Sequence, residues 1–235
     1  MTTNGAVLGR IEKKTLKKDV AYQYLRKAIV TCRIKPGDML DEVTIAQHLG
    51  ISRTPIREAI NRLVEEGLVT VMPKRGLLVN QIAYKDVIDM LEARLMIEPD
   101  ILRAAFPRLE HDVLMKFRDY VTEKIDSGDL TPEEPEQDFD FTFHMYFAER
   151  AANRYLIEAM RSMMTQNQRF RAAIVSGEPE RVQDVHREHL EILDHLLSGD
   201  EESAVSSIRR HQANGLLDFK EHYRGGGLVR SIVLV

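Results

Sequence analysis

The chain has 235 residues, of which 43% are hydrophobic and 30% charged; this composition excludes disordered and fibrous classes, and the length favours two domains. Its net charge of −4 hides a split: 14 Lys and Arg against 8 Asp and Glu up to Asn80, or +6, then 19 against 29, or −10. Such asymmetry indicates a nucleic-acid or other anionic partner for the first part alone.

The first part of the chain has the pattern of three helices followed by a hairpin. Apolar periodicity predicts the helices, and two β-rich runs flank a basic turn. The expected ranges are helices at 19–32, 41–49 and 52–67, strands at 68–72 and 77–79, and a hairpin tip at 73–76. This order of elements is that of a winged helix-turn-helix domain, to which we assign residues 1–80.

The third predicted helix carries two arginines on one stripe beside its buried face, together with an asparagine. A guanidinium group donates two parallel hydrogen bonds, which suits both phosphate oxygens and guanine edges. A threonine of the same helix and the hairpin tip can hold phosphates. A solvated basic face without a ligand is the alternative. The candidate DNA-binding residues are Arg53, Thr54, Arg57, Asn61, Lys74, Arg75 and Gly76.

From Tyr84 onward the helical periodicity continues with short loops. We expect helices at 84–105, 109–127, 136–152, 154–175, 179–198 and 201–223. Six helices connected in this way form an antiparallel bundle. The predicted fold is therefore mainly α, with a winged helix-turn-helix domain and its small β-hairpin wing followed by an all-helical domain at residues 81–235. A flexible tail with a short apolar end is expected from Gly225.

Polar side chains on the apolar faces of these helices are informative, because burial without a partner is costly. On the 136–152 helix, Asp140 and His144 are i,i+4 neighbours that point inward among phenylalanines and alanines. Asp138, by contrast, is expected to project to the opposite side. An Asp and a His at this spacing on a buried face are suited to binding a metal ion.

Two further helices bring inward histidines toward this pair. His211 faces inward on the last helix, with His222 three turns further on. On the helix before it, His186 and His189 are both eligible, and the periodicity does not choose between them. Each histidine alone is more often a satisfied core or surface residue. Together with the Asp/His pair they predict a divalent transition metal, with zinc or nickel ahead of manganese and iron.

Two inward polar pairs predict a ligand cavity. Arg94 and Glu98 lie on the apolar face of the 84–105 helix, and Asn167 and Arg171 follow a methionine-rich face of the 154–175 helix. Buried cations of this kind fit a small anionic ligand that is anchored at its carboxylate by arginine. A structural ion pair is an equally good alternative for each pair.

These motifs resemble those of a known family. The stretch IKPGDMLDEVTIAQHLGISRTPIREAINRLVEEGLVTVMPKRGLLVN, above all SRTPIREA and PKRG, resembles the DNA-binding part of GntR-type bacterial transcription regulators. The D-x-x-F-H motif at Asp140–His144, the N-x-x-L element at Asn153–Leu156 and the E-H-x-x-I…G-D…A…H element at Glu188–His211 resemble the FCD subgroup, which has an all-helical, metal-containing effector domain. The resemblance covers about residues 19–223.

The resemblance implies roles for residues of the first part. In the family's pattern the two arginines of the recognition helix, here Arg53 and Arg57, contact DNA. The wing glycine, here Gly76, lies in or near the minor groove. Some relatives carry a further arginine in the second helix, and near Val43 that contact is missing here.

The resemblance also implies roles in the second part. The metal ligands would be Asp140, His144, His189 and His211, which favours His189 over His186. Arg94 falls in an R-x-x-x-E element where family members commonly have an effector-pocket residue. Members respond to small organic acids or sugar acids, so a carboxylate effector is implied.

The sequence thus predicts a homodimeric, DNA-binding transcription regulator without enzymatic activity. It would bind a near-palindromic operator in double-stranded DNA, and a small carboxylate beside the metal would modulate operator affinity. Repression relieved by the effector is the default expectation, and activation is equally compatible with the residues. One alternative is a metal-dependent enzyme with an attached basic domain, in which Glu98 or Glu188 could act as general acid or base. The other is a regulator with a purely structural metal.

The sequence also indicates where the protein works. No apolar run approaches the roughly 18–20 residues that a membrane span needs, and the N-terminus has no signal-peptide core. The single cysteine, Cys32, fits a reducing compartment. We therefore expect a cytoplasmic, nucleoid-associated bacterial protein with no membrane partner.

Overall fold

The computed structural model describes residues 16–128, 138–173, 179–224 and 232–233. Its helices are α1 Lys17–Val30, α2 Glu42–Leu49, α3 Arg53–Glu65, α4 Tyr84–Ala105, the 3-10 helix Phe106–Arg108, α5 His111–Ser127, α6 Phe139–Ala151, α7 Arg154–Ala173, α8 Pro179–Leu197 and α9 Glu201–Arg224. Its strands are β1 Met39–Leu40, β2 Val69–Met72, β3 Gly76–Val79, β4 Ile82–Ala83 and β5 Ile232–Val233. The prediction of a mainly α fold with a small wing is confirmed.

Helices α1 to α3 and the first sheet share one hydrophobic core, in which Leu25, Ile56 and Leu63 are fully buried. The predicted hairpin forms as an antiparallel pair between β2 and β3. The sequence prediction missed β1, which pairs antiparallel with β3 and completes the order β1-β3-β2. A strand of two residues is too short to show the apolar alternation from which strands are predicted.

The starts of α2 and α3 are set by different N-caps. Asp41, at the predicted start of α2, accepts hydrogen bonds from the backbone N–H groups of Val43 and Thr44 at 3.2 and 3.0 Å. This satisfies two donors that the first turn leaves free. Ser52, with which the predicted range of the third helix begins, occupies the N-cap position of α3, but its side chain makes no capping hydrogen bond.

Helices α4 to α9 surround a second and larger core, in which Phe143, Phe147, Met160 and Ile192 are at most 1% exposed. Helix α6 packs against α4 and α7, and α8 packs against α5 and α9. This arrangement brings the inward faces of α4, α6, α7, α8 and α9 together. Among the described helices, none is long and apolar enough to cross a membrane.

Some predicted boundaries differ from the structure. Helix α6 begins at Phe139, because Asp138 is its N-cap and accepts from the backbone N–H of Phe141. Residues 136–137 and 174–175, predicted as helical, lie outside the described residues. The predicted tail is described only at Ile232–Val233, whose backbone pairs in parallel with β4.

Helix α7 also contacts the N-terminal part of the chain. Arg169 is 1% exposed, and its NH2 donates to the backbone carbonyl of Asn80 at 2.6 Å. The Arg26 NH2 donates to the Thr165 hydroxyl at 2.9 Å, and the half-buried Cys32 thiol donates to the Arg169 carbonyl at 3.7 Å. Hydrogen bonds at one buried face of α7 therefore join the two cores.

The wing turn requires a glycine. Gly76 has a φ of +112°, outside the left-handed helical well, whereas Gly50 between α2 and α3 has a φ of +65° and open space around it. We expect Gly76→Ala to lower the free energy of unfolding by about 2 kcal/mol and Gly50→Ala by about 1 kcal/mol. Urea unfolding measures both losses. Equal losses in the two variants would contradict this account of the wing.

Candidate functional site

The four predicted DNA-binding residues of α3 lie at the protein surface. Helix α3 buries Ile56, Ala59, Ile60 and Leu63 on one side. The exposed residues on its other faces include Arg53, Thr54, Arg57 and Asn61. The arginine side chains at 53 and 57 are 56% and 60% exposed. They are exposed enough to reach a large polar partner such as DNA.

The sequence prediction missed a carboxylate that contacts both arginines. Glu42, the first residue of α2, accepts from Arg57 Nε at 2.9 Å and from Arg53 NH2 at 3.3 Å. Burial by itself raises the pKa of Glu42, but the bonds from Arg57 and Arg53 outweigh burial and lower that pKa below its ordinary value. Glu42 is 11 and 15 residues away in sequence, at the end of α2 that is remote from the turn into α3, so sequence proximity gives no hint of the contact.

The wing residues predicted to hold DNA are also at the surface. Lys74, Arg75 and Gly76 are exposed at the tip between β2 and β3. The turn is closed by the Arg75 N–H, which donates to the Met72 carbonyl at 3.0 Å. Two cations at the end of a short hairpin can approach a phosphate backbone closely.

Four side chains converge in the second core to form a candidate metal centre. Asp140 and His144 come from α6, His189 from α8 and His211 from α9, and one ligand atom of each lies within 4.8 Å of all the others. The three histidines are at most 7% exposed. These are the four residues that the family resemblance implied as ligands. The cluster is defined here as the metal centre.

The other histidines of the C-terminal part do not join this cluster. His186, which the periodicity left eligible, is half-buried on α8 and lies outside the group. His111 is exposed at the start of α5, and His195 lies 3.8 Å from Glu191. The side chain of His222 lies outside the described residues.

Two glutamates orient imidazoles of the metal centre. Glu98 Oε2 lies 2.5 Å from His144 Nδ1, and Glu188 Oε2 lies 2.6 Å from His211 Nδ1. A carboxylate on Nδ1 fixes the tautomer and leaves the Nε2 lone pair for a metal ion, as is common at metal sites in proteins. Neither contact was predicted: Glu98 was assigned to the effector pocket, and both Glu98 and Glu188 were candidates for a general acid or base. In the structure, each of these two carboxylates contacts an imidazole.

The donor atoms fit a divalent transition metal. Asp140 Oδ1 lies 3.5 Å from His144 Nε2 and 3.6 Å from His189 Nε2. Ligand atoms at zinc-like bond lengths are about 3.3–3.4 Å apart in a tetrahedron, so these two pairs are close to the required spacing. All four ligand atoms lie within 4.8 Å of one another and would move closer together around an ion. Among the described residues, neither ring nitrogen of buried His189 has a hydrogen-bond partner. A bound metal ion would satisfy this orphaned imidazole.

The protonation states also suit a metal. Burial lowers the pKa of His189 well below its ordinary value and lowers that of His211, although Glu188 raises the latter in part. Burial raises the pKa of Asp140, but Arg171 and His144 outweigh burial and hold it well below the usual range. For His144 burial lowers the pKa, and Glu98 reverses the direction. Two neutral imidazoles and an ionised carboxylate are therefore ready to act as ligands.

The first predicted effector pair, Arg94 and Glu98, lies beside the metal centre. Arg94 Nε donates to Glu98 Oε1 at 2.5 Å, and the pair is almost fully buried. Glu98 also accepts from Gln212 Nε2 at 3.0 Å and faces His144. Burial raises the pKa of Glu98, and Arg94 and His144 overcome burial and lower it to about 2.

The second predicted pair contacts a metal ligand. Asn167 Nδ2 donates to Asp140 Oδ2 at 3.0 Å, and Arg171 NH1 lies 3.0 Å from the same oxygen. Arg171 NH2 also donates to Asp138 Oδ2 at 2.5 Å. The prediction that Asp138 projects away was wrong, since it is 5% exposed and shares Arg171 with Asp140. As an N-cap it precedes the helix, so the 100° rotation per residue does not apply to it.

Comparisons with known proteins cover both parts of the chain. The sequence pattern of the FCD domain matches residues 89–214, and that of bacterial regulatory proteins, gntR family, matches residues 17–79. The Nta operon transcriptional regulator of Aminobacter aminovorans is 29% identical over 182 residues, 77% of this chain and 84% of that protein. The HTH-type transcriptional repressor RspR of Escherichia coli (strain K12) is 39% identical over 84 residues, 36% of this chain and 37% of that protein.

A solved structure shows the same fold. E. coli McbR/YncC matches with a TM-score of 0.72 at 18% sequence identity, over 88% of this chain and 99% of that chain. The gntR pattern spans the winged helix, and the FCD pattern spans more than half of the chain and includes the whole metal centre. The chain therefore belongs to the GntR family of bacterial DNA-binding transcription regulators and carries an FCD domain in its C-terminal part.

Proposed function

We propose that this regulator is a homodimeric repressor whose operator affinity is lowered by a small organic acid bound beside a divalent metal. Residues 1–80 would bind DNA, and residues 81–235 would bind metal and effector and form the dimer. A two-fold dimer places one recognition helix in each half of a near-palindromic operator. Zinc and nickel are the metals that the three imidazoles and one carboxylate suit best, ahead of manganese and iron.

The observation that carries the effector proposal is a buried guanidinium nitrogen. Arg94 is 3% exposed, and its NH2 has no hydrogen-bond partner among the described residues. A buried charged donor left unsatisfied is costly, and a carboxylate oxygen would satisfy it. The charge of Arg94 acts on both Asp140 and His144. A carboxylate held by Arg94 would therefore lie beside the metal centre.

The local charge supports an anionic ligand in the metal-loaded protein. Within two contacts of the metal centre, the described carboxylates are Asp138, Asp140, Glu98 and Glu188, and the arginines are Arg94, Arg171 and Arg181. Four carboxylates and three arginines give a net charge of −1 when the imidazoles are neutral. A bound divalent cation would change this to +1, and a metal that takes more than four ligands would offer a coordination position to an incoming carboxylate.

Helix α7 supplies a route between the two sites. Asn167 donates to the metal-centre residue Asp140, and Arg169 donates to the Asn80 carbonyl just after the wing. Side chains two positions apart on a helix project about 200° apart, so α7 faces the metal centre on one side and the DNA-binding part on the other. We infer that an effector that binds two arrangements of Asp140 unequally shifts operator affinity through α7.

The enzyme alternative has less support. Its candidate acid and base, Glu98 and Glu188, each bind the Nδ1 of an imidazole and are further held by neighbouring donors. They serve better as positioning groups than as proton carriers. The alternative of a purely structural metal does not explain why the buried NH2 of Arg94 has no hydrogen-bond partner among the described residues.

The metal assignment is tested with two histidines of α8. We expect His189→Ala to lower metal affinity by more than about 100-fold, since loss of an outer-shell group alone costs about 10–100-fold. His186→Ala, three residues away and outside the metal centre, should keep the metal. Elemental analysis of both dialysed proteins measures the difference. Equal metal content in the two variants would contradict the assignment.

The DNA-reading role is tested at Arg57. Arg57→Ala should reduce discrimination between operator and unrelated DNA by about 1–3 kcal/mol while the dimer stays folded. The control is Arg154→Ala, which removes an exposed arginine from the start of α7. Footprinting at constant salt on an operator selected from random DNA gives the readout, and an unchanged Arg57→Ala footprint refutes the role.

The effector proposal is tested by thermal shift with and without chelator. A panel of mono-, di- and 2-hydroxycarboxylates should contain a ligand that, at 100 times its Kd, raises Tm by roughly 5–10 °C. Arg94→Lys should lose much of this shift and keep the metal, because lysine retains the charge but lacks the second nitrogen of the planar guanidinium fork. Stabilisation without turnover supports the sensor. Turnover would indicate the enzyme, and absence of any shift a structural metal.

A further inference from the structure

Glu42 links the two arginines that face outward from the recognition helix. We propose that Glu42 is a positioning residue for base recognition, which holds the Arg57 guanidinium so that its two terminal nitrogens point away from the protein. The inference rests on the proposed DNA-reading role of Arg53 and Arg57. It adds a specificity-determining carboxylate that does not itself need to touch a base.

The choice of nitrogen atom carries the argument. Arg57 uses Nε for its bond to Glu42 Oε2, at 2.9 Å. A guanine is recognised through O6 and N7 by two parallel N–H donors. Because Nε is engaged, the edge formed by NH1 and NH2 is left for that pair of acceptors. Arg53 reaches the same oxygen with NH2 at a longer 3.3 Å, so Arg57 is held more firmly.

Glu42 is itself held in place. It is the first residue of α2, directly after the Asp41 N-cap, where the helix dipole favours a negative charge. Its side chain is 20% exposed, against 56% and 60% for Arg53 and Arg57. The more restricted partner of the contact is thus the carboxylate. It can order two long flexible side chains before DNA arrives, which reduces the entropy lost on binding.

The contact is better suited to specificity than to stability. An exposed ion pair contributes little to the free energy of folding. A carboxylate beside phosphates also weakens binding to every DNA sequence through repulsion. Glu42 therefore costs general affinity, and its expected benefit is a larger ratio between operator and unrelated DNA.

The test compares two glutamates that differ in their contacts. Glu42→Gln removes the charge that holds the arginines. Glu58→Gln removes the same charge from α3, where Glu58 pairs with Lys18 at 3.3 Å and not with either arginine. The full chain is titrated by fluorescence anisotropy, at one salt concentration, against an operator selected from random DNA and a shuffled duplex.

We expect Glu58→Gln to change the two Kd values by the same factor and to leave their ratio unchanged. Glu42→Gln should tighten binding to shuffled DNA and lower the ratio by about 5–10-fold, part of the discrimination of one bidentate contact. The unfolding midpoint should stay at the wild-type value. A ratio that is unchanged or increased in Glu42→Gln overturns the proposal, since Glu42 would then be a bystander or a competitor of DNA.

The double variant Glu42→Gln/Arg57→Ala separates this inference from the function on which it rests. If Glu42 acts through Arg57, the double variant has the same ratio as Arg57→Ala alone. A ratio lowered further by Glu42→Gln in that background overturns the role through Arg57. If Arg57→Ala keeps the wild-type ratio, the DNA-reading role of Arg57 fails. If Arg57→Ala lowers the ratio and Glu42→Gln does not, only the inference about Glu42 fails.

Discussion

The C-terminal bundle buries polar side chains away from water, and its structure depends on giving each of them a partner. Three imidazoles and a carboxylate lie in a core otherwise built from phenylalanine, methionine and aliphatic side chains. Each polar atom there needs a partner, because an unsatisfied one costs as much as several buried methylene groups contribute. Glutamates, asparagine and arginine supply those partners from α4, α7 and α8. Among the described residues, neither ring nitrogen of His189 has a hydrogen-bond partner, and a bound metal ion would supply one.

The hydrogen-bonded polar side chains around the metal centre form a polar layer, which extends to the edge of the bundle. Asp140 is held by Asn167 and Arg171 of α7, and the opposite side of α7 holds the Asn80 carbonyl through Arg169. An arginine buried this deeply resists movement relative to its acceptor, since separation would leave a buried charge with only its hydrogen bond to Gln166. The position of the winged helix is therefore tied to the polar layer by one rigid helix, and no long flexible linker lies between them.

The sequence predicted the fold well wherever periodicity was long. Helices of 13 to 24 residues repeat their apolar face often enough to be recognised, whereas β1 has two residues and shows no repeat. Helical periodicity also narrowed the set of candidate metal ligands, but it did not choose among them. His186 and His189 are three residues apart and flank the same inward stripe, so the family pattern was needed to choose. Asp138 was misplaced because a helical projection was applied to a residue outside the helix.

Contacts between distant residues were beyond the sequence. Glu98 meets His144 across 46 positions, and Glu188 meets His211 across 23, so the packing of α4 on α6 and α8 on α9 decides both contacts.

The packing of the two cores also gives the single cysteine a use as a probe. Cys32 is the single cysteine in the sequence, and its half-buried thiol donates to the Arg169 carbonyl where the two cores meet. Opening of this contact would expose the thiol further and speed its alkylation, so the native chain contains its own chemical reporter of inter-core opening, without an engineered label.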